Sequence, residues 1–194
     1  MPDPHADQRG AEKRRRADEV QEAGPDDLSE RVEVAPRWAV EPRYAQDEDQ
    51  AVKMASLNAL ASMATQNDLS ALFTLLDQAT APQEVELLQR AIITGIGQVE
   101  DRSQQTAIVL EEMQNTSEEN TPKYFTVLAS IGGEEALKAV SEGFEKGAPA
   151  TKTAAITALS GWSDAGAAHQ LFRISEAEAN SEYKDQALVG YINL

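Results

Sequence analysis

The chain has 194 residues, 33 acidic against 17 basic, and a formal net charge of −16. That length suffices for one domain with a sizeable core, while the charge opposes general binding to phosphate backbones. Cysteine is absent, which removes disulfides, thiolate metal sites and thiol nucleophiles, and no apolar run approaches the roughly 18 residues that span a bilayer.

Residues 1–47 carry 8 Lys and Arg against 12 Asp and Glu, a net of −4, and Pro2, Pro4, Pro25, Pro36 and Pro42 interrupt any long helix. They read as a charged, disordered tail with at most a short helix at 11–22. Its basic run, Lys13-Arg14-Arg15-Arg16, is balanced by Glu12, Asp18, Glu19 and Glu22, and reads as a solvated cluster and not a nucleic-acid patch. Trp38 and Tyr44 are expected to pack on the first helix that follows as a crude cap, or to stay exposed if the tail is disordered. The N-terminus shows neither the apolar core of a secretory signal nor a lipidation motif, and the sequence leaves the compartment open.

Residues 48–194 hold the remaining 9 basic and 21 acidic residues, a net of −12. From about Glu48 apolar residues recur at helical steps: Ala51, Val52, Met54, Ala55, Leu57, Leu60 and Met63, then Leu69, Leu72, Phe73, Leu75 and Leu76 after a polar turn. Pro82 suits the first turn of a new helix, and the cycle restarts with helices over 85–99 and 103–113 and a turn at 115–120. Pro122 and Pro149 are expected to open the third and fourth cycles as Pro82 opens the second.

A phrase of one small residue, one large apolar residue, a small or polar pair and a second large residue marks each cycle. It reads Ala59-Leu60-Ala61-Ser62-Met63, Gly95-Ile96-Gly97-Gln98-Val99 and Val127-Leu128-Ala129-Ser130-Ile131, then Ala158-Leu159-Ser160-Gly161-Trp162 and Gly190-Tyr191-Ile192-Asn193-Leu194. The large residues Leu60, Ile96, Leu128, Leu159 and Tyr191 are spaced by 36, 32, 31 and 32. Five positions after the first four stand Thr65, Asp101, Gly133 and Asp164, residues that cap a helix or permit a tight bend. Twelve positions after stand Leu72, Ile108, Val140 and Leu171, all apolar.

Helical hairpins at this period predict an all-α fold, an α-solenoid of antiparallel hairpins in which each unit buries its faces against its neighbours. The repeats fall at about 48–80, 81–117, 118–147 and 148–180, with a final helix at 181–194. The small residues Ala59, Gly95, Ala158 and Gly190 let neighbouring helices approach closely, with the larger Val127 as the exception. Gly95 and Gly97 together imply a packing constraint, since a mid-helix glycine costs about 1 kcal/mol against alanine. The final phrase has no second helix to cover it, so the chain is expected to be a fragment of a larger protein. Alternatively Glu182, Lys184 and Asp185 let its helix serve as a cap.

The small-Leu phrase, the turn residue and the second amphipathic helix, repeated at this period over 48–194, resemble HEAT repeats. Ala158-Leu159-Ser160-Gly161-Trp162-Ser163-Asp164, with Leu171-Phe172 and Ala187-Leu188-Val189-Gly190-Tyr191, is similar to the HEAT segments of large multidomain bacterial proteins. Some of those also carry a sugar-hydrolase-like domain. The resemblance implies a right-handed superhelical stack of about four repeats and a terminal helix, used for binding partners and not for catalysis.

No catalytic signature stands against that reading. His5 lies in the tail, and His169 lacks a second His or Cys with which to build a zinc site. Glu111-Glu112, Glu118-Glu119 and Glu134-Glu135 are adjacent pairs, which diverge on a helix, and Glu134-Glu135 offsets a helix dipole. Gly95-Ile96-Gly97 lacks the strand and third glycine of a dinucleotide loop. Asn115-Thr116-Ser117 fits a glycosylation acceptor, a frequent triplet. No cofactor, metal or enzymatic activity is expected.

The expectation is therefore a protein-interaction scaffold that binds another protein or a neighbouring domain of its parent, with neither nucleic acid nor membrane as partner. Second helices usually line the concave face of such arrays. Their exposed positions are Ser70, Thr74 and Asp77 in the first repeat and Lys138, Glu142 and Glu145 in the third, with His169, Arg173 and Glu176 in the fourth. Lys138, Glu142, Glu145, His169 and Arg173 form the candidate partner surface. The second repeat offers Thr106, Leu110 and Met113, either core residues in a rotated helix or an apolar docking centre. The alternative is an accessory helical segment of a multidomain bacterial enzyme, for example a carbohydrate-active one, whose active site lies outside these residues.

Overall fold

The computed structural model of the chain describes residues 45–194. The readings of the short helix at 11–22, the basic run at 13–16, His5, Trp38 and Tyr44 lie outside the described residues. Helical periodicity becomes nine α-helices here, with no strand among the described residues. They are α1 (Gln50–Met63), α2 (Leu69–Gln78), α3 (Pro82–Ile96), α4 (Arg102–Asn115), α5 (Phe125–Ile131), α6 (Glu134–Lys146), α7 (Pro149–Ser160), α8 (Ala168–Ala177) and α9 (Ser181–Asn193). Two fall in each of the segments 48–80, 81–117, 118–147 and 148–180, and α9 occupies 181–194.

The helix ends follow from local chemistry. Asp49, Asp101 and Asn180 accept backbone N–H bonds at the starts of α1, α4 and α9, satisfying donors that a helix cannot pair internally. Thr65 and Asp164 cap short 3-10 turns that lead into α2 and α8. Thr65 donates its amide and hydroxyl to the Asp68 carboxylate, each at 2.8 Å, and Asp164 accepts from the Gly166 amide at 2.7 Å. Gly133 precedes α6 with φ +89°, a conformation that favours glycine. Pro82 and Pro149 sit in the first turns of α3 and α7.

Pro122 behaves differently. It lies in a 3-10 turn, Thr121–Tyr124, and α5 begins only at Phe125, leaving it the shortest of the nine helices. A second departure concerns α4, whose fully buried residues are Thr106 and Val109, while Ile108 is only partly buried. Its inward face is thus turned one residue along from the twelve-residue offset that holds for Leu72, Val140 and Leu171.

Packing explains the repeated phrase. Helix α1 packs on α3, α3 on α5, α5 on α7 and α7 on α9, while each even-numbered helix lies against the odd-numbered helix after it. The Lys53 ammonium meets the Glu84 carboxylate at 2.8 Å near the starts of α1 and α3. Near their ends, the Thr94 hydroxyl donates to the Ala61 carbonyl at 2.8 Å and the Gln98 amide to the Ala64 carbonyl at 3.0 Å. These contacts require α1 and α3 to run parallel. The same holds for α7 and α9, joined by the Tyr183 hydroxyl on the Pro149 carbonyl at one end and by Gly190 against Ser160 at the other.

Leu60, Leu128 and Leu159 are fully buried and Ile96 is 2% exposed. Burying each such side chain contributes about 1.5–3 kcal/mol. Tyr191, at the fifth copy of the position, is 41% exposed. The second large residue is buried at Val99, Ile131 and Trp162 but not at Met63, which is 48% exposed. A Cβ on Gly95 would sit 2.8 Å from the Thr65 carbonyl oxygen, and one on Gly190 2.8 Å from Ser160 Cβ, so both glycines allow close helix approach. Gly97 does not share that role. It caps the end of α3 and meets only the carbonyls of Ile93 and Thr94.

Candidate interaction groove

A cavity opens beside the short helix α5, between α4 and α6, with the 3-10 turn and the start of α7 as its ends. It is an open groove of about 1030 Å³. Leu110 and Met113 from α4, Phe125 from α5, Ala139 from α6 and Ala150 from α7 give it an apolar lining. Leu110, Met113 and Ala139 are only partly buried. Leu110 and Met113 are three residues apart, which places them on one helix face. Gly143 shapes the floor, because any Cβ there would collide with the Phe125 ring that crosses it.

The rim is charged. Glu118 and Glu119 come from the α4–α5 connection, and Glu135, Lys138, Glu142 and Lys146 from α6. The last four recur at three- and four-residue steps and so share one side of α6. Lys146 and Glu142 form an ion pair at 2.9 Å. Its hydrogen bond, reinforced by charge attraction, holds the Glu142 carboxyl below its usual range and the Lys146 ammonium above its own. Lys138 makes no ion pair among the described residues, nor do Glu118, Glu119 or Glu135.

A polar cluster beneath the α4–α5 connection holds that part of the rim in place. One Asp77 carboxylate oxygen accepts from the Thr116 hydroxyl at 2.7 Å and from the Tyr124 hydroxyl at 2.9 Å. The Asp77 carbonyl accepts from the Asn120 amide at 3.0 Å. The Lys123 ammonium donates to the carbonyls of Leu76, Asp77 and Ala79, the last at 2.7 Å, and so satisfies the C-terminal end of α2. Burial pushes this ammonium below its usual range, against the pull of Asp77 and Glu119. Tyr124 is fully buried and stacks on Phe73 with ring centroids 5.9 Å apart. Burial, then the hydrogen bond to Asp77, raises its hydroxyl well above the ordinary value. Glu118 and Glu119 lie between two anchored residues, Thr116 and Asn120.

The five candidate surface residues divide. Lys138 and Glu142 line the groove beside Leu110 and Met113. Glu145 and Arg173 border a smaller cleft of about 130 Å³ between α6 and α8, where they approach at 3.9 Å. His169 is exposed and lines neither cavity. Two further positions change role: Asp77 is committed to the polar cluster, and Thr106 is buried in the core. Glu135 could have been found from its three-residue spacing to Lys138. Glu118 and Glu119 carry no such signal, because a connection between helices has no period.

Among the described residues, no three His, Cys, Asp or Glu side chains converge as a metal site would require. No helix among them is long and apolar enough to cross a membrane. In comparisons with known proteins, the chain matches no family model, no curated protein and no solved structure.

Proposed function

We propose that residues 48–194 form a HEAT-like α-solenoid, a right-handed stack of about four hairpins and a terminal helix, which acts as a non-catalytic scaffold. On this reading it binds a polypeptide segment of another protein, or of a neighbouring domain, along the exposed sides of its second helices. The succession of packed helices α1–α3–α5–α7–α9, parallel at α1–α3 and at α7–α9, with an even-numbered helix against each member after α1, supports the architecture. One observation carries the function: the apolar groove between α4 and α6, rimmed by charged side chains that include the expected Lys138 and Glu142. It is an open groove at the upper end of small-ligand pocket volumes, and its walls are two helices, the setting in which proteins take up a partner's helix or peptide.

The test begins with a photoreactive side chain at Lys138, to identify a partner by its site of attachment, and with the same group at Glu86 on α3 as control. The affinity of the identified partner is then measured against variants reversing Lys138, Glu142, Glu145 and Arg173. A loss of about tenfold corresponds to 1.4 kcal/mol, the scale of a few rim contacts. Unchanged affinity with all four charges reversed would remove this surface from the binding account.

A further inference from the structure

We propose that the occupant of the α4–α6 groove is a cationic amphipathic helix, with apolar side chains on Leu110, Met113 and Ala139 and lysine or arginine side chains against Glu118, Glu119 and Glu135. This rests on the scaffold reading above and adds the partner's chemistry to it.

Charge complementarity selects this occupant. Four carboxylates and two ammonium groups line the groove, a net of −2. The Glu142–Lys146 pair is internally neutralised. What faces an incoming segment is three carboxylates against the single ammonium of Lys138, none of the four in an ion pair among the described residues. An acidic or phosphorylated segment would meet like charge here, while a cationic one is matched by the rim and drawn in by a chain of net charge −16.

The floor sets the second requirement. A purely basic segment would leave Leu110 and Met113 facing polar groups, whereas an apolar stripe removes both from water. The walls favour a helix as the form of the segment. Leu110 and Met113 project from α4 at a three-residue step opposite Ala139 of α6, a ridge against which a third helix can interdigitate. The hydrogen bonds at Thr116 and Asn120 hold the ends of the acidic connection before any ligand arrives, which lowers the cost of ordering it on binding.

The probe is a fluorescent synthetic Leu/Lys peptide of about four helical turns, with a Leu/Glu counterpart and a Lys/Ala counterpart lacking the apolar stripe. Binding is followed by fluorescence anisotropy on the full chain. The triple variant Glu118→Lys, Glu119→Lys, Glu135→Lys changes exposed residues only, and its circular dichroism and thermal unfolding are compared with the parent's before binding is read. It is compared with Glu86→Lys, Glu176→Lys, Asp185→Lys, an equal change in net charge at exposed positions that do not line the groove.

The expected result is that the Leu/Lys peptide binds and the other two bind far more weakly. The rim variant then loses about tenfold or more, as three surface ion pairs imply, while the control variant stays within about twofold. Equal losses in both variants would overturn the proposal, because attraction would then follow net charge alone. Failure of the Leu/Lys peptide to bind would overturn it as well. Equal or tighter binding of the Leu/Glu peptide, lost in Met113→Gln, would also overturn it while leaving the groove reading intact.

Discussion

The odd-numbered and even-numbered helices alternate along the chain but have different surroundings. Helices α3, α5 and α7 each have odd-numbered neighbours on both sides and an even-numbered helix against them as well. Their phrase residues Ile96, Leu128 and Leu159 are correspondingly buried. Helix α6 shows the other situation, with one fully buried stripe of Ala136, Val140 and Phe144 and a charged opposite side. The inner odd-numbered helices are thus flanked on more sides than α6, whose charged side carries residues that can vary at little cost; α2, by contrast, buries Leu69, Leu72, Phe73, Leu75 and Leu76. Helix α9 shows that burial comes from the neighbour and not from the residue. Leu188 and Tyr191 repeat the positions of Ile156 and Leu159, yet are 46% and 41% exposed where those two are fully buried.

The sharpest way to break this comparison is a core truncation in the odd-numbered layer. Leu128→Ala is expected to cost about 2–5 kcal/mol in denaturant unfolding, through lost burial and the cavity left behind. Next, Gly95→Val places a side chain against the Thr65 carbonyl and Leu69, and overpacking of that kind costs about 1–3 kcal/mol. If both variants unfolded like the parent chain, close packing in the odd-numbered layer would contribute nothing to stability.

The polar cluster gives a smaller, pH-dependent effect. Because the Tyr124 hydroxyl is raised above its ordinary value of 10.0, the folded chain keeps a proton that the unfolded chain releases above that pH. Its contribution is full below pH 10.0 and is lost as pH rises beyond it. Lys123, lowered from 10.5 by burial, shifts oppositely: the unfolded chain holds the proton longer, so that contribution grows as pH rises toward 10.5. Tyr124→Phe isolates the first effect. Its stability deficit relative to the parent should shrink on going from about pH 8 to about pH 11 in unfolding measurements, and a constant deficit would count against a protonated Tyr124 in the folded state.

The smallest effect is expected on the groove rim. Glu118→Lys, at an exposed and unpaired position outside any helix, should change unfolding stability by no more than about 0.5 kcal/mol. A larger loss would mean that the rim supports the fold and is not free to specify a partner.

Much of this was legible in the sequence. The phrase located the buried contacts of the odd-numbered helices, because close packing needs a small residue beside a large one. Thr65, Asp101, Gly133 and Asp164 announced the turns because capping is local chemistry. What stayed hidden is long-range. Pro122 resembles Pro82 in sequence, but Tyr124 is held by Asp77, a residue 47 positions earlier, and the chain there makes a 3-10 turn before α5 begins. The inward face of α4 is set by what α5 and α6 present to it, which periodicity within α4 cannot reveal. The groove inherits both effects. Leu110 and Met113 could be named in advance, but their place beside Lys138 and the Glu118–Glu119 connection could not.

Amide hydrogen exchange of the full chain, with and without the Leu/Lys peptide, tests the central claim most directly. The account predicts added protection in the C-terminal half of α4, the connection at 116–124 and α6, with α8 and α9 unchanged. Protection confined to α8 and α9, where Phe172, Val189 and Ile192 are exposed, would contradict it and place the interaction surface at the other end of the chain.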